Sequence, residues 1–390
     1  MKAETPTLIR DYIDKCVRCG SCKALCPTYD LRAIEPMSAR GRVVLVGALI
    51  DGSIKPTPLM ISRLTSCLLC GICEGSCPVG VGITDVVYHG LGLVAGHDRQ
   101  RAWLRRAMSF ALRRPLLCFK AARLMGPSMI ERVSRLLRVP LPKGGLPEEP
   151  MSVGLEIFKP GSPIGRVAVF TGCAVNYISP GTGRSLLRAL FRLGYEVVLP
   201  AGEVCCGAPM RALGLTEEAE KMAQKNIEVF GKLKVEAVLS LCPTCTLAIG
   251  KQYRDITGEV IESAMDATEF LAPRIGKAGG ITVAGGLEGK GIVYHPPCHL
   301  RYGLGVKDAP VEMLRALGLE VEVPKSSVCC GFNQNMADRE LGEDLLRDRS
   351  DQYGGFDVVM SACPGCVEQL SRELPDVRHV VDVIDSDLTD

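Results

Sequence analysis

The chain has 390 residues, 47% of them hydrophobic and 23% charged, with a formal net charge of +2. That length allows two or three domains with cores of their own, the charge content excludes a disordered acidic or basic tail, and the balance argues against a nucleic-acid binder. Met1 to Arg10 carries no charged-then-apolar leader, and no run approaches the ~18 apolar residues of a membrane span. A cytoplasmic protein is expected, where disulfides rarely persist and cysteines act as ligands.

Residues 1–97 hold two dense cysteine runs, Cys16-x2-Cys19-x2-Cys22-x3-Cys26-Pro27 and Cys67-x2-Cys70-x2-Cys73-x3-Cys77-Pro78, set among short helical stretches. Between them, Arg40 to Ile50 reads as a helix. In such runs three closely spaced thiolates wrap one cluster, and the fourth cysteine, followed by proline, serves the other cluster. The spacing therefore assigns one cubane [4Fe–4S] to Cys16, Cys19, Cys22 and Cys77, and a second to Cys67, Cys70, Cys73 and Cys26. A zinc site does not need eight thiolates in two such runs; loss of one cluster to a three-iron form is the remaining alternative.

Residues 98–160 form a basic, Leu/Arg-rich helical segment that fades into a linker with Pro140, Pro142, Gly144, Gly145, Pro147 and Pro150. From His97 to Gly145 there are twelve Lys/Arg against two acids. Trp103, Phe110, Leu117, Leu124, Ile130 and Leu136 interleave with the arginines. Three readings stand: an interfacial helix on anionic lipid, a partner-docking face, or a cover for the domain that follows. The first adds a peripheral place on the inner face of the membrane to the expected location. Cys118, the one cysteine outside the patterns, reads as an inert thiol.

Residues 161–278 and 287–390 repeat one another. Arg166 to Cys173 matches Gly291 to Cys298, Leu193 to Pro200 matches Leu317 to Pro324, and Val235 to Cys242 matches Phe356 to Cys363, at offsets of 125, 124 and 121 residues. Each apolar run is rich in β-branched residues and ends at or just before a cysteine, with helical patterns such as Ser185 to Leu193 and Glu217 to Leu233 between. Strand–helix alternation implies parallel sheets, whose carboxyl ends gather ligands. The cysteines sit at those ends: Cys173, Cys205, Cys206, Cys242 and Cys245 in the first half, and Cys298, Cys329, Cys330, Cys363 and Cys366 in the second. Five thiolates are one more than a cubane requires. A structural zinc held by four of the five is the plain alternative, and it leaves the adjacent pair unused. The glycine after each pair, Gly207 and Gly331, frees the backbone to approach a bulky centre.

His295 and His299 flank Cys298. They are candidate catalytic proton donors to a substrate sulfur or a quinone; the plainer reading is that they cap a loop. Gly181-Thr-Gly-Arg-Ser185 has Ile178 in place of a P-loop's first glycine and Arg184 in place of its lysine. Gly279 to Gly286 precedes a strand and reads as a linker. No flavin is expected on this chain.

Cys16-Val-Arg-Cys-Gly-Ser-Cys-Lys-Ala-Leu-Cys-Pro-Thr-Tyr29, Ser38-Ala-Arg-Gly-Arg42, Gly172-Cys-Ala-Val-Asn176 and His295-Pro-Pro-Cys-His299 carry a resemblance over nearly the whole chain. It resembles the iron–sulfur subunits of glycolate oxidase and of anaerobic glycerol-3-phosphate dehydrogenase, and also the catalytic subunit of heterodisulfide reductase. The resemblance implies an α+β multidomain protein: a helical two-cluster domain, like that of succinate dehydrogenase iron–sulfur subunits, then two CCG domains. It implies one or two further, noncubane [4Fe–4S] clusters on the CCG cysteines. It also implies a partner FAD-containing dehydrogenase subunit oxidising glycolate, lactate or glycerol-3-phosphate, with a membrane quinone or cytochrome subunit as acceptor. The heterodisulfide reductase side implies instead a CCG centre that itself cleaves a disulfide. A zinc-stabilised docking scaffold is the third reading.

Overall fold

Short valine-rich runs, each ending at a cysteine loop, form two largely parallel sheets in the computed structural model. The structure describes residues 6–125, 128–129, 132–133, 145–276, 282–283, 286–324 and 329–385. The strands are β1 (Glu156–Phe158), β2 (Gly165–Val169), β3 (Tyr195–Leu199), β4 (Ala237–Ser240), β5 (Ala264–Asp266), β6 (Thr282–Val283), β7 (Ile292–His295), β8 (Val321–Glu322), β9 (Val358–Ser361), β10 (Val377–His379) and β11 (Ile384–Asp385). One sheet has the order β1-β3-β2-β4-β5, with only β1 antiparallel; the other is β10-β9-β7-β8, parallel throughout. Read from the strand before each cysteine pair, β3-β2-β4-β5 matches β8-β7-β9-β10. The internal repeat is therefore a repeat of topology, and the molecule has the α+β multidomain class.

Side chains alternate across a strand, and the sequence uses both faces. Val167 and Val169 of β2, with Ile292 and Tyr294 of β7, face one shared core that holds Leu186, Leu190, Leu271 and Leu314. Ala168 faces the other way, onto Met222 and Phe230, as Val293 does onto Leu346 and Tyr353. The two halves are thus joined through apolar burial, the largest favourable contribution to such a junction. Part of the glycine-rich stretch expected to be a linker is not one. Thr282–Val283 is β6, which pairs antiparallel with β11 near the far end of the chain (Ile384↔Val283). Its partner lies about a hundred residues on, so local composition gave no sign of it. Residues 279–281 and 284–285 of that stretch, and the linker prolines Pro140 and Pro142, lie outside the described residues.

The N-terminal region is helical: Thr7–Lys15, Pro27–Arg32, Ala39–Ile50, Pro58–Thr65, Ile72–Gly75 and Ile83–Ala95. The helices Ala102–Arg113 and Pro115–Arg123 follow. These two cover the first sheet half: Leu112 packs on its core, and buried Phe119 meets Tyr177 at 5.6 Å between ring centroids. Trp103 and Phe110 stay exposed on the outer face. No helix among the described residues is long and apolar enough to cross a membrane.

Ser38-Ala-Arg-Gly-Arg42 proves to be a helix start with several roles. The Ser38 hydroxyl caps the helix Ala39–Ile50 by accepting from the Gly41 N–H at 2.9 Å. At Gly41 a Cβ would stand 2.0 Å from the Glu35 carbonyl oxygen, so only glycine lets the helix seat against that turn. Gly41→Ala is expected to destabilise the protein by about 1–3 kcal/mol through overpacking. Anaerobic urea unfolding checks this, and an unchanged midpoint would refute it.

Candidate metal centres

The two dense runs adopt one loop conformation. Arg18 and Leu69, the second residues between the first two cysteines of each run, have φ of 55° each, and Gly20 and Gly71 follow with φ of 88° and 75°. Each loop thereby turns back on itself and brings its cysteines around a small pocket. Cys16, Cys19, Cys22 and Cys77 line one small pocket. Cys26, Cys67, Cys70 and Cys73 line another. Each pocket takes three cysteines from one run and one from the other.

An arginine of the Ser38–Arg42 segment borders each pocket. Arg40 lines the first, held by Glu35 at 2.7 Å and by the Arg18 carbonyl at 2.8 Å. Arg42 lines the second and is 1% exposed. It donates to the Met37 carbonyl at 2.7 Å and to Thr28 at 3.0 Å, with Cys26 Sγ 4.0 Å away. Burial raises the thiols of Cys67, Cys70 and Cys73 above their ordinary range, and Arg42 opposes that at Cys67. Four thiolates in so small and dry a space need positive charge, which an iron–sulfur core supplies and the arginines supplement. The donor set fits such a core.

The CCG cysteines lie at the carboxyl ends of three adjacent strands in each sheet. Cys173 follows β2, the Cys205–Cys206 pair follows β3, and Cys242 follows β4, with Cys245 in the helix Pro243–Leu247. Cys298, Cys329–Cys330, Cys363 and Cys366 stand likewise after β7, β8 and β9. Cys173 and Cys205 Sγ are 3.8 Å apart, and Cys298 and Cys329 are 3.7 Å apart. Cys206 hydrogen-bonds Cys245, and Cys330 meets Cys366 at 3.4 Å. The two sets touch, because Cys242 of the first half hydrogen-bonds Cys363 of the second. All ten CCG thiols thus form one seam, and the hydrogen bond with Cys205, together with burial, holds the Cys173 thiol well above its ordinary range. Gly207 and Gly331, with φ of 80° and 81°, also permit a close backbone approach of another kind. A Cβ there would stand 3.2 Å from the Ala219 carbonyl and 3.0 Å from the Gly342 carbonyl, so each glycine seats a helix.

His299 joins three cysteine loops. Its Nε2 is 2.9 Å from the Leu69 carbonyl, inside the Cys67–Cys70 loop, and its Nδ1 is 2.7 Å from the hydroxyl of Thr244, between Cys242 and Cys245. A carbonyl only accepts, so Nε2 carries the proton and Nδ1 accepts from Thr244. Burial lowers the pKa of this ring and favours the neutral form. His295 is 0% exposed; its Nδ1 is 2.9 Å from the Tyr353 hydroxyl and its Nε2 has no protein partner. Neither ring therefore stands open to solvent as a free donor.

Sequence reading missed four residues. Glu203 clamps the Cys173 loop to the Cys205 loop: its carboxylate accepts from the Thr171 hydroxyl at 2.8 Å and from the Gly172 N–H at 2.6 Å. Burial lifts this carboxyl to about 7 against those bonds. Gln334 donates to the Cys67 carbonyl at 2.8 Å, across the junction where Leu68 and Cys70 pack with Cys298, Cys329, Leu341 and Leu345. Thr244 and Arg40 complete the set. A lone polar residue beside a cysteine gives no periodic signal, so only the cysteine spacing marked the neighbourhood of Glu203, Thr244 and Gln334, while Arg40 lay in the Ser38–Arg42 segment already singled out.

The cysteine-rich (CCG) domain family matches residues 167–250 and 292–371, and the 4Fe-4S dicluster domain family matches residues 12–81. The glycolate oxidase iron-sulfur subunit of Escherichia coli K12 is 30% identical over 96% of this chain and 93% of its own length. One subunit of the dihydromethanophenazine:CoB–CoM heterodisulfide reductase of Methanosarcina barkeri is 26% identical over 92% of this chain and 88% of its own. A crystal structure of a hypothetical protein from Helicobacter pylori superposes with a TM-score of 0.52 at 10% identity, over 97% of this chain and 72% of that one, a likeness of fold alone. With two cysteine-rich domains behind a dicluster domain, and a full-length relative at this identity, the chain belongs to the family of oxidoreductase iron–sulfur subunits that includes the glycolate oxidase iron-sulfur subunit.

Proposed function

We propose that this chain is the electron-transfer subunit of a flavin-dependent dehydrogenase of the glycolate, lactate or glycerol-3-phosphate type. A separate FAD subunit would oxidise the substrate, and a quinone or another carrier would take the electrons. The observation that carries the reading is the continuity of the sulfur sites. Cys70 of the second pocket packs in one cluster with Cys298 and Cys329, and Cys242 meets Cys363 across the halves. Cys16, Cys19, Cys22 and Cys77 would hold one cubane, and Cys67, Cys70, Cys73 and Cys26 the other. Cys173, Cys205, Cys206, Cys242 and Cys245 would hold a third [4Fe–4S] cluster, and Cys298, Cys329, Cys330, Cys363 and Cys366 a fourth. Such clusters supply one-electron carriers. The chain's own part is to bury the thiols, place Arg40 and Arg42 beside them, and lock the loops together through His299, Glu203 and Gln334. In this reading His295 and His299 position sulfur sites and do not hand protons to a substrate.

The seam favours one second reading. Ten CCG thiols meeting in one place, with no CCG cysteine missing, also suit direct cleavage of a disulfide there, as the resemblance to heterodisulfide reductase implies. Reduction of a disulfide by the isolated protein and an artificial electron donor, with no flavoprotein present, separates the two: turnover supports the second reading, and its absence supports the first.

Anaerobically purified protein is expected to carry about sixteen irons and matching sulfide, at four per cluster. About eight irons, or zinc in the remaining sites, would remove the CCG clusters from the proposal. Cys206→Ala is expected to lose one centre, about four irons, and to alter the low-temperature paramagnetic resonance spectrum; unchanged iron content and spectrum would contradict the first-half assignment. His299→Leu leaves the Leu69 carbonyl and Thr244 without their buried partner, a cost of about 1–3 kcal/mol. Iron content should hold, while the magnetic coupling between the second cubane and its neighbour weakens. Unaltered coupling and stability would count against the bridging role.

A further inference from the structure

The two halves differ at one buried position beside their cysteine loops. Phe170, just past β2, is fully buried, and its ring lies 5.4 Å from that of Phe230 in the helix Thr216–Gly231. At the matching place after Val293 and Tyr294 of β7 stands His295, also fully buried, with its ring 5.8 Å from that of Tyr353 in the helix Arg339–Tyr353. An apolar aromatic pair in the first half is thus a polar pair in the second. A ring nitrogen of His295 and the Sγ atoms of Cys330 and Cys366 all lie within 4.8 Å of one another. Nδ1 is taken by Tyr353, while Nε2 is buried without a protein partner. A buried polar atom left without a partner is costly, so this nitrogen calls for a partner that the chain alone does not provide.

Two chemistries fit a histidine beside two thiols: a lone pair binding metal, or an N–H donating to sulfur. The tautomer decides between them. Arg349, 4% exposed, hydrogen-bonds the Tyr353 hydroxyl. A guanidinium only donates, so the Tyr353 oxygen accepts from Arg349, and giving its own O–H to His295 Nδ1 completes the phenol's donor and acceptor roles. An accepting Nδ1 puts the proton of the neutral ring on Nε2. The nitrogen left for the sulfurs is therefore a donor and not a ligand.

We propose that His295 Nε2–H donates a hydrogen bond to sulfur at the Cys330–Cys366 side of the second CCG centre, and that this bond sets that centre's reduction potential above that of its twin. The inference rests on the reading that the second half holds a cluster. Donors to cluster or thiolate sulfur favour the more negative, reduced form and so raise the potential. The first centre has Phe170 at the matching place and gains no such bond. Two centres of nearly one topology are thereby made unequal, which gives electron flow across the Cys242–Cys363 contact a preferred resting place.

The test compares wild type with His295→Phe, His295→Gln and Tyr353→Phe in the full chain, by iron and sulfide analysis and by redox titration followed with paramagnetic resonance. His295→Phe should keep its iron and move one midpoint potential to lower values. Tyr353→Phe, which frees the tautomer, should move the same centre in the same direction by less, and His295→Gln, whose amide still donates, should recover part of the shift. Unmoved potentials with full iron content overturn the proposal. Loss of about four irons from His295→Phe overturns it too, since the ring would then be a ligand. Should His295→Phe fail to fold, unmoved potentials in both other variants overturn it. A wild-type protein with iron for fewer than four clusters shows, before any variant is made, that the proposed function's cluster assignment has failed, and the inference fails with it.

Discussion

Ten thiols from two sheet halves meet in one dry seam, and as thiolates they would repel one another strongly. The rest of the molecule is arranged around that constraint. Parallel strands place loops at one edge, and the strand orders β3-β2-β4 and β8-β7-β9 put three cysteine loops side by side in each half. The shared apolar core behind the strands joins the halves and so brings the two sets of thiols together. Counter-charge must then come from what the sulfurs hold. Clusters and fold are coupled in this way, because ligand binding of this kind is folding energy.

The N-terminal pockets meet the same constraint differently. There the protein adds cations of its own: Arg40 at the outer pocket and fully buried Arg42 at the inner one, both in the first turn of one helix. The CCG seam has Glu203 on the Cys173 loop and Arg349 behind the His295–Tyr353 pair, while the two rings nearest its cysteines, His299 and His295, are both disfavoured as cations by burial. Fixed positive charge near a cluster favours its reduced form, and neutral donors do so more weakly. The contrast implies that the two pairs of centres are poised by different means, one by buried guanidinium groups and one by oriented N–H dipoles.

Much of this was legible in the sequence because cysteine spacing and strand periodicity are local. The repeat at offsets of 125, 124 and 121 residues fell on β2 and β7, β3 and β8, and β4 and β9. The α+β class and the placement of cysteines at strand ends followed from the same pattern. What escaped is long-range. Nothing in the string says that Cys242 meets Cys363, that Leu69 receives a hydrogen bond from His299, or that β6 finds β11. Each is a contact between segments more than fifty residues apart, decided by how the halves dock. The glycines of the two cysteine pairs are a subtler case. Their need was visible, but the close approach of a helix backbone that each one also permits was not.

Under the proposed function, a relay through these sites would have two mouths. At one end Cys19 is exposed beside the outer pocket. At the other, Cys173 and Cys205 border a pocket of about 100 Å³ walled by Thr171, Asn176, Tyr177 and Glu203, with Leu112 and Pro115 of the covering helices also lining it. Between them most of the cysteines are buried, with Cys67 and Cys298 only partly so. The covering helices also present Trp103 and Phe110 outward, next to a groove edged by Arg99, Arg106, Arg113 and Arg114. Under the proposed function a partner seated on that face would stand near the Cys173 mouth and far along the chain of sulfurs from Cys19. Donor and acceptor would then be held on separate surfaces, so an electron could pass between them only by way of the seam.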